Sequence, residues 1–123
     1  MARILVVDES AAMRRLLRLM LKGHDVVEAR FGVEGLGEIA RGPIDLIICD
    51  VGLTDMDANE FHRRLMSEAY FGKVLFLAAQ LDAMPRDRFG SRLPVLYKPV
   101  DAEVLFAKVK SLLATDAPSW DVK

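Results

Sequence analysis

The stretch Ile4-Leu-Val-Val-Asp-Glu9 carries most of the information about the fold, because a short apolar run ends abruptly in two acids. Four consecutive apolar residues, mostly β-branched, predict a strand that is buried on both faces. Carboxylates at the end of such a strand are costly unless they share a site with compensating charge. The stretch therefore predicts a strand of a parallel sheet and one part of a charged site.

Two further apolar runs end in a charged residue. Residues 44–49 are followed by Asp50, and residues 94–97 are followed by Lys98-Pro99. The carboxyl ends of parallel strands meet at one edge of a sheet, and ligands of open α/β sheets bind beyond that edge. Asp50, Lys98 and the first acid pair are thus predicted to converge in an acidic, cation-binding pocket with one lysine.

Strand-like and helix-like segments alternate along the whole chain, which predicts an α/β fold of the (βα)5 type, a doubly wound parallel sheet covered by helices on both faces. One domain is expected over residues 1–115, with residues 116–123 as a tail or the start of a linker. The first helix is expected to bury Met13, Leu16, Leu17, Met20 and Leu21. The predicted strands are 3–7, 25–29, 44–49, 74–77 and 94–97; the predicted helices are 10–22, 33–40, 58–69, a short or irregular one within 80–93, and a last one capped by Asp101.

Composition narrows the function classes. The formal net charge of −1 gives no sign of nucleic-acid or membrane binding. No apolar run approaches the roughly 18 residues that span a bilayer, and no signal peptide is recognisable, so a cytoplasmic location is the expectation. The single cysteine, Cys49, is expected to be a buried small residue. His24 and His62 are expected to be solvated polar positions.

The clustered acids suggest a specific chemistry. Three carboxylates repel one another, and a hard cation such as Mg²⁺ relieves that conflict with oxygen ligands. Glu9 and Asp50 are the predicted direct ligands, Asp8 would act through water, and the backbone carbonyl of Gly52 could supply another oxygen. A carboxylate can also attack a phosphoryl group, which makes Asp50 a candidate nucleophile with Lys98 on the phosphoryl oxygens.

In these residues the chain resembles a response-regulator receiver domain of two-component signalling, of the chemotaxis-regulator kind, over residues 2–114. The resemblance rests on Asp8-Glu9, Asp50 and Lys98-Pro99 in this order and spacing, with weaker matches at 13–16, 32–36 and 53–57.

It implies a flavodoxin-like sheet in the order 2-1-3-4-5, Asp50 as phosphoacceptor, Mg²⁺ as cofactor and a cis peptide bond between Lys98 and Pro99. The implied partners are a histidine kinase or histidine phosphotransfer protein and a downstream output domain or protein. The resemblance implies a phosphoacceptor signalling domain in a phosphorelay, with at most self-phosphorylation and slow autodephosphorylation.

Two positions depart from the family pattern. Ala78 stands where the family has Thr or Ser, and Val95 stands where it often has Tyr or Phe. Both family side chains report the phosphorylated state, so two hypotheses remain open: a working phosphoacceptor with atypical switch coupling, or a pseudo-receiver that acts as a phosphorylation-independent interaction module. Tyr97 is either an outward-facing contact residue or an ordinary edge-strand aromatic.

An enzyme is the third hypothesis. A haloacid-dehalogenase-type phosphatase would have a second Asp where this chain has Gly52, and neither a G-x-G-x-x-G spacing nor a Walker A motif is present. The sequence leaves open the cognate kinase, the output partner, the oligomeric state, whether Asp50 is phosphorylated in the cell, and whether the chain is a fragment of a longer protein.

Overall fold

The computed structural model describes residues 1–70, 72–79, 82, 84–87 and 89–115. Within them lie five strands and four helices. A helix follows each of the first three strands and the fifth strand, and the helices cover the two faces of one sheet. The elements are β1 (Arg3–Val7), α1 (Ala11–Met20), β2 (Asp25–Ala29), α2 (Gly32–Arg41), β3 (Leu46–Asp50), α3 (Ala58–Ser67), β4 (Lys73–Ala78), β5 (Val95–Tyr97) and α4 (Ala102–Leu113).

The sheet is parallel throughout, in the order β2-β1-β3-β4-β5. Strand β1 lies between β2 and β3, with Val7 opposite Ala29 on one side and Cys49 on the other. The chain reverses its direction of winding between β1 and β3, so the carboxyl ends of these two strands frame a crevice. This confirms the predicted fold class and strand order.

Side-chain caps fix where three of the helices begin. The side chains of Ser10, Asp57 and Asp101 each accept a hydrogen bond from the backbone N–H three residues later. Such caps satisfy donors that the first helical turn leaves unpaired. The helix starts are therefore set by sequence, and the predicted cap at Asp101 is confirmed.

Two apolar layers enclose the sheet. One lies under α2 and α3 and includes Val7, Cys49 and Phe61. The other lies under α1 and α4 and includes Leu17 and Leu105. Cys49 is buried as predicted, and burial raises the pKa of its thiol.

The predicted buried face of α1 is too wide. Leu17 and Leu21 are buried, and Met13 and Met20 pack partly against the same layer, but Leu16 is exposed. Leu16 and Leu17 are consecutive and therefore lie about 100° apart around the helix, and the contact with the sheet and α4 is narrower than that.

His62 is buried, with only 1% of its surface exposed, which corrects the expectation of a solvated position. It shares the inner face of α3 with Ala58, Phe61 and Leu65, at helical spacing. Burial lowers the pKa of His62, and the charge of Asp87 opposes that effect. His62 is therefore buried because it lies on the face of α3 that packs against the core.

The connection from β4 to β5 contains no helix among its described residues, where the sequence predicted a short one. Arg86 instead forms an isolated antiparallel bridge with Arg92, and Gly90 closes the turn with a positive φ of 83°. The carboxylate of Asp87 accepts hydrogen bonds from the N–H groups of Phe89 and Ser91. Such local side-chain bonds compete with helix formation. Gln80, Leu81, Ala83 and Arg88 lie outside the described residues.

The predicted tail, residues 116–123 with Trp120, lies outside the described residues. Among the helices that are described, none has the length and apolar character needed to cross a bilayer.

Candidate functional site

Three of the predicted charged residues meet at the carboxyl edge of the sheet. Asp8 follows β1, Asp50 ends β3, and Lys98 follows β5. The Lys98 Nζ lies 3.1 Å from Asp50 Oδ1 and 3.5 Å from Asp8 Oδ2. The ammonium group therefore bridges two carboxylates that come from strands flanking the crevice, as the sequence predicted.

Asp8 is the most deeply buried of the three, with 3% of its side chain exposed. Burial raises its pKa and the charge of Asp50 adds to that effect, while the N–H of Ser10 and the ammonium of Lys98 lower it. The Ser10 N–H donates to Asp8 Oδ1 at 2.9 Å. Burial disfavours the charged form of Asp8, so a cation bound next to it would stabilise that form.

Lys98 is held by its backbone and by its side chain. Burial alone would lower its pKa, but the hydrogen bond and charge of Asp50, together with Asp8, offset that effect and raise the pKa. Its backbone N–H donates to the carbonyl of Ala78 at 2.8 Å, and the peptide bond to Pro99 is cis, as the resemblance implied. The amine is thus a fixed cation beside Asp50.

Glu9 does not join this cluster. Its Oε2 accepts two hydrogen bonds from Thr54 in the loop after β3, from the backbone N–H at 2.6 Å and from the hydroxyl at 2.7 Å. In the described part of the chain, no group of three or more acidic, histidine or cysteine side chains is arranged to hold a metal ion. Thr54 thus occupies one of the two carboxylate oxygens of Glu9, and the predicted ligand set stays a prediction.

The loop after β3 is tied to α2 by a contact that sequence reasoning missed. Both carboxylate oxygens of Asp55 accept backbone hydrogen bonds, from Gly32 at 3.0 Å and from Val33 at 2.9 Å. The loop also approaches Gly32 so closely that a Cβ there would lie 2.8 Å from the Met56 side chain. Acidic residues near a helix start are a known signal, but these two positions are more than 20 residues apart.

Gly52 lies beside the carboxylate of Asp50. A Cβ at Gly52 would lie 3.5 Å from Asp50 Oδ2. Glycine at this position therefore places no side chain against the Asp50 carboxylate. Its backbone carbonyl as a cation ligand remains a prediction.

The two departures from the family pattern are both well packed. Ala78 is buried at the last position of β4 and pairs with Tyr97. Val95 packs against the apolar layer under α2 and α3. Tyr97 is partly exposed, and its hydroxyl contacts the sulfur of Met84. A methyl group therefore stands at Ala78, where it offers no hydrogen bond to a group on Asp50.

Comparison with known proteins agrees with this geometry. The sequence matches the family model of the response regulator receiver domain over residues 4–110. The chain is 31% identical over 125 residues to the transcriptional regulatory protein GlrR of Escherichia coli (strain K12), covering 98% of this chain and 28% of that protein. It is 34% identical over 126 residues to the response regulator MprA of Mycobacterium sp. (strain KMS), covering 94% of this chain and 52% of that protein. The chain thus spans about half or less of these relatives.

Solved structures show the same architecture. The chemotaxis response regulator CheY4 of Vibrio cholerae superposes with a TM-score of 0.76 at 26% identity, covering 91% of this chain and 98% of that one. A receiver domain from Clostridium thermocellum superposes with a TM-score of 0.80 at 23% identity, covering 93% and 95% of the two chains, and supports the fold alone.

Proposed function

Because the chain belongs to the response regulator receiver family, we propose that it accepts a phosphoryl group on Asp50 from a phosphohistidine of a histidine kinase or histidine phosphotransfer protein. The observation that carries this proposal is the contact of Lys98 Nζ with the carboxylates of both Asp50 and Asp8. It places a fixed cation at the point where a phosphoryl group on Asp50 would add negative charge.

The transfer is a displacement at phosphorus. A carboxylate oxygen of Asp50 forms the new O–P bond while the P–N bond to the donor histidine breaks, and the leaving imidazole nitrogen keeps the electron pair and takes up a proton. The product is an acyl phosphate on Asp50 and a neutral histidine on the partner. Lys98 remains paired with the negative charge throughout, because its ammonium lies between the two carboxylates.

The donor set fits Mg²⁺. Asp8 and Asp50 present hard carboxylate oxygens next to each other, and burial of Asp8 favours a compensating cation. Asp50, Glu9 and the Gly52 carbonyl would hold the ion, with Asp8 acting through water. When bound, Mg²⁺ would neutralise charge on the phosphoryl oxygens.

The partners follow from the relatives. GlrR is a transcriptional regulatory protein, and a sensor protein, EvgS of Escherichia coli (strain K12), matches 95% of this chain at 33% identity over 10% of its own length. We therefore propose that the domain passes its state to an output domain or protein, in the cytoplasm, and that it contacts no nucleic acid itself.

A second candidate is a pseudo-receiver that binds partners without phosphorylation. Ala78 and Val95 favour it, because neither side chain provides the hydroxyl or the mobile ring that reports phosphorylation in the family. The intact Asp8, Asp50 and Lys98 contacts favour the first candidate.

Phosphorylation with a small donor separates the two candidates. The chain is incubated with Mg²⁺ and acetyl phosphate, and its intact mass is measured. A gain of one phosphoryl group that Asp50→Asn abolishes supports the phosphoacceptor. Asp25→Asn, on the exposed start of β2, is the matched control and should be modified like the wild type. No gain at saturating donor would overturn the first candidate and leave the pseudo-receiver.

A further inference from the structure

Arg14 connects the acid pair to the second strand. From the first turn of α1, its Nη1 donates to the backbone carbonyl of Asp8 at 2.7 Å, and its Nε donates to Glu28 Oε1 of β2 at 2.9 Å. Only 13% of the Arg14 side chain is exposed. A guanidinium group is suited to such a bridge, because its donors have a fixed, planar arrangement.

The bridge fixes the peptide unit between Asp8 and Glu9. The N–H of Asp8 donates to the carbonyl of Ala29 at 3.1 Å, which holds the residue on the other side. Arg14 holds the carbonyl that precedes Glu9. With both ends of Asp8 held in this way, the peptide unit that leads into Glu9 is fixed. A charge-assisted hydrogen bond of this kind is among the stronger ones in proteins.

We propose that Arg14 is a positioning residue of the cation site: it holds the Asp8–Glu9 peptide against β2 so that both carboxylates can serve one divalent ion. This deepens the proposed function and rests on it. Arg14 touches neither the ion nor the phosphoryl group. It acts through the main chain of the acid pair, as partners behind metal ligands commonly do.

Arg18 provides a matched control on the same helix. It also binds Glu28, with Nε 2.8 Å from Oε2, and it donates to the carbonyl of Val26 at 3.2 Å. Its side chain is 50% exposed, and these contacts all lie on β2. Arg14 and Arg18 therefore share an ion-pair partner and a charge, while only Arg14 reaches the acid pair.

Isothermal titration with Mg²⁺ alone tests the proposal on the full chain and on Arg14→Gln, Arg14→Lys and Arg18→Gln. Loss of a residue that orients metal ligands typically weakens binding by about 10–100-fold. We expect a loss in that range for Arg14→Gln and affinity close to the wild type for Arg18→Gln. Arg14→Lys keeps the charge but lacks the planar fork, so it should stay impaired.

Urea unfolding of the same variants separates positioning from general stability. Both glutamine variants lose a bond to Glu28, so similar losses of unfolding free energy with different Mg²⁺ affinities support the positioning role. Arg14→Gln with wild-type affinity overturns that role alone, as does full rescue by Arg14→Lys, which would assign the effect to charge. A wild-type chain that binds no Mg²⁺ overturns both this inference and the metal-assisted part of the proposed function.

Discussion

Replacing Gly35 by alanine should destabilise this domain, although alanine is the better helix former. Gly35 lies in α2 and faces β1. A Cβ at Gly35 would lie 2.9 Å from Cγ2 of Val7 and 3.6 Å from Cε1 of Phe61. Val7 is buried and its β-branched side chain has little rotamer freedom. The added methyl group would therefore force α2 or the backbone of β1 to move.

Two opposing effects set the magnitude. Alanine in a helix interior gains about 1 kcal/mol over glycine. Overpacking of a well-packed core costs about 1–3 kcal/mol. The expected net change for Gly35→Ala is therefore a loss of up to about 2 kcal/mol, or roughly 8 °C in melting temperature for a domain of this size.

Gly37 in the same helix supplies the control. It is exposed, and nothing lies within 4 Å of a Cβ placed there. Gly37→Ala should therefore keep the full propensity gain and stabilise the domain by about 1 kcal/mol. Urea unfolding gives both free energies, with an unchanged slope showing that the unfolded state is the same. A stabilisation by Gly35→Ala equal to that by Gly37→Ala would refute the packing argument.

Three further predictions concern the site and its surroundings. Ala78→Ser introduces a hydroxyl whose hydrogen bond to a charged phosphoryl group on Asp50 would contribute about 1.5–3 kcal/mol. Phosphorylation of this variant should therefore slow hydrogen exchange in residues 84–87 and 89–93, and unchanged exchange would contradict the prediction. Thr54→Val removes one bond to Glu9, so Mg²⁺ affinity measured by titration should rise, by roughly tenfold at most. In the folded domain the pKa of His62 lies below its ordinary value of 6.5. The neutral imidazole therefore contributes to stability above pH 6.5, and this contribution is lost as the pH falls through the folded pKa. His62→Gln should flatten the decline of unfolding free energy in that range, and an equal slope in both proteins would argue against it.

The sheet and the centre of the site could be predicted because both depend on local patterns. Short apolar runs that end in a charged residue mark buried strands and place Asp8, Asp50 and Lys98 at one edge. Topology then brings those residues together without further information. The ion pairs of Lys98 at 3.1 and 3.5 Å are the outcome.

Other parts could not be predicted because they depend on contacts between distant positions. Thr54 binds Glu9 across 45 positions of sequence, and Asp55 binds the start of α2 across 22 or 23. No local pattern indicates such pairs. The burial of His62 could have been predicted from a local pattern, because it lies at helical spacing with the apolar residues of α3. The prediction was wrong only because a histidine was assumed to prefer solvent.

Ala78 shows why the chemistry and its transmission can be separated in this domain. The carbonyl of Ala78 accepts the N–H of Lys98 at 2.8 Å, a bond that any residue at this position can make. The placement of Lys98 beside Asp50 therefore does not depend on the side chain at 78. A hydroxyl there would act on a group attached to Asp50, and so on the loop that follows β4. Under the proposed function, alanine at this position leaves the arrangement of Asp50 and Lys98 intact and removes only a contact that the phosphorylated state would make. Reactivity at Asp50 and the response of residues 84–87 and 89–93 should therefore vary independently.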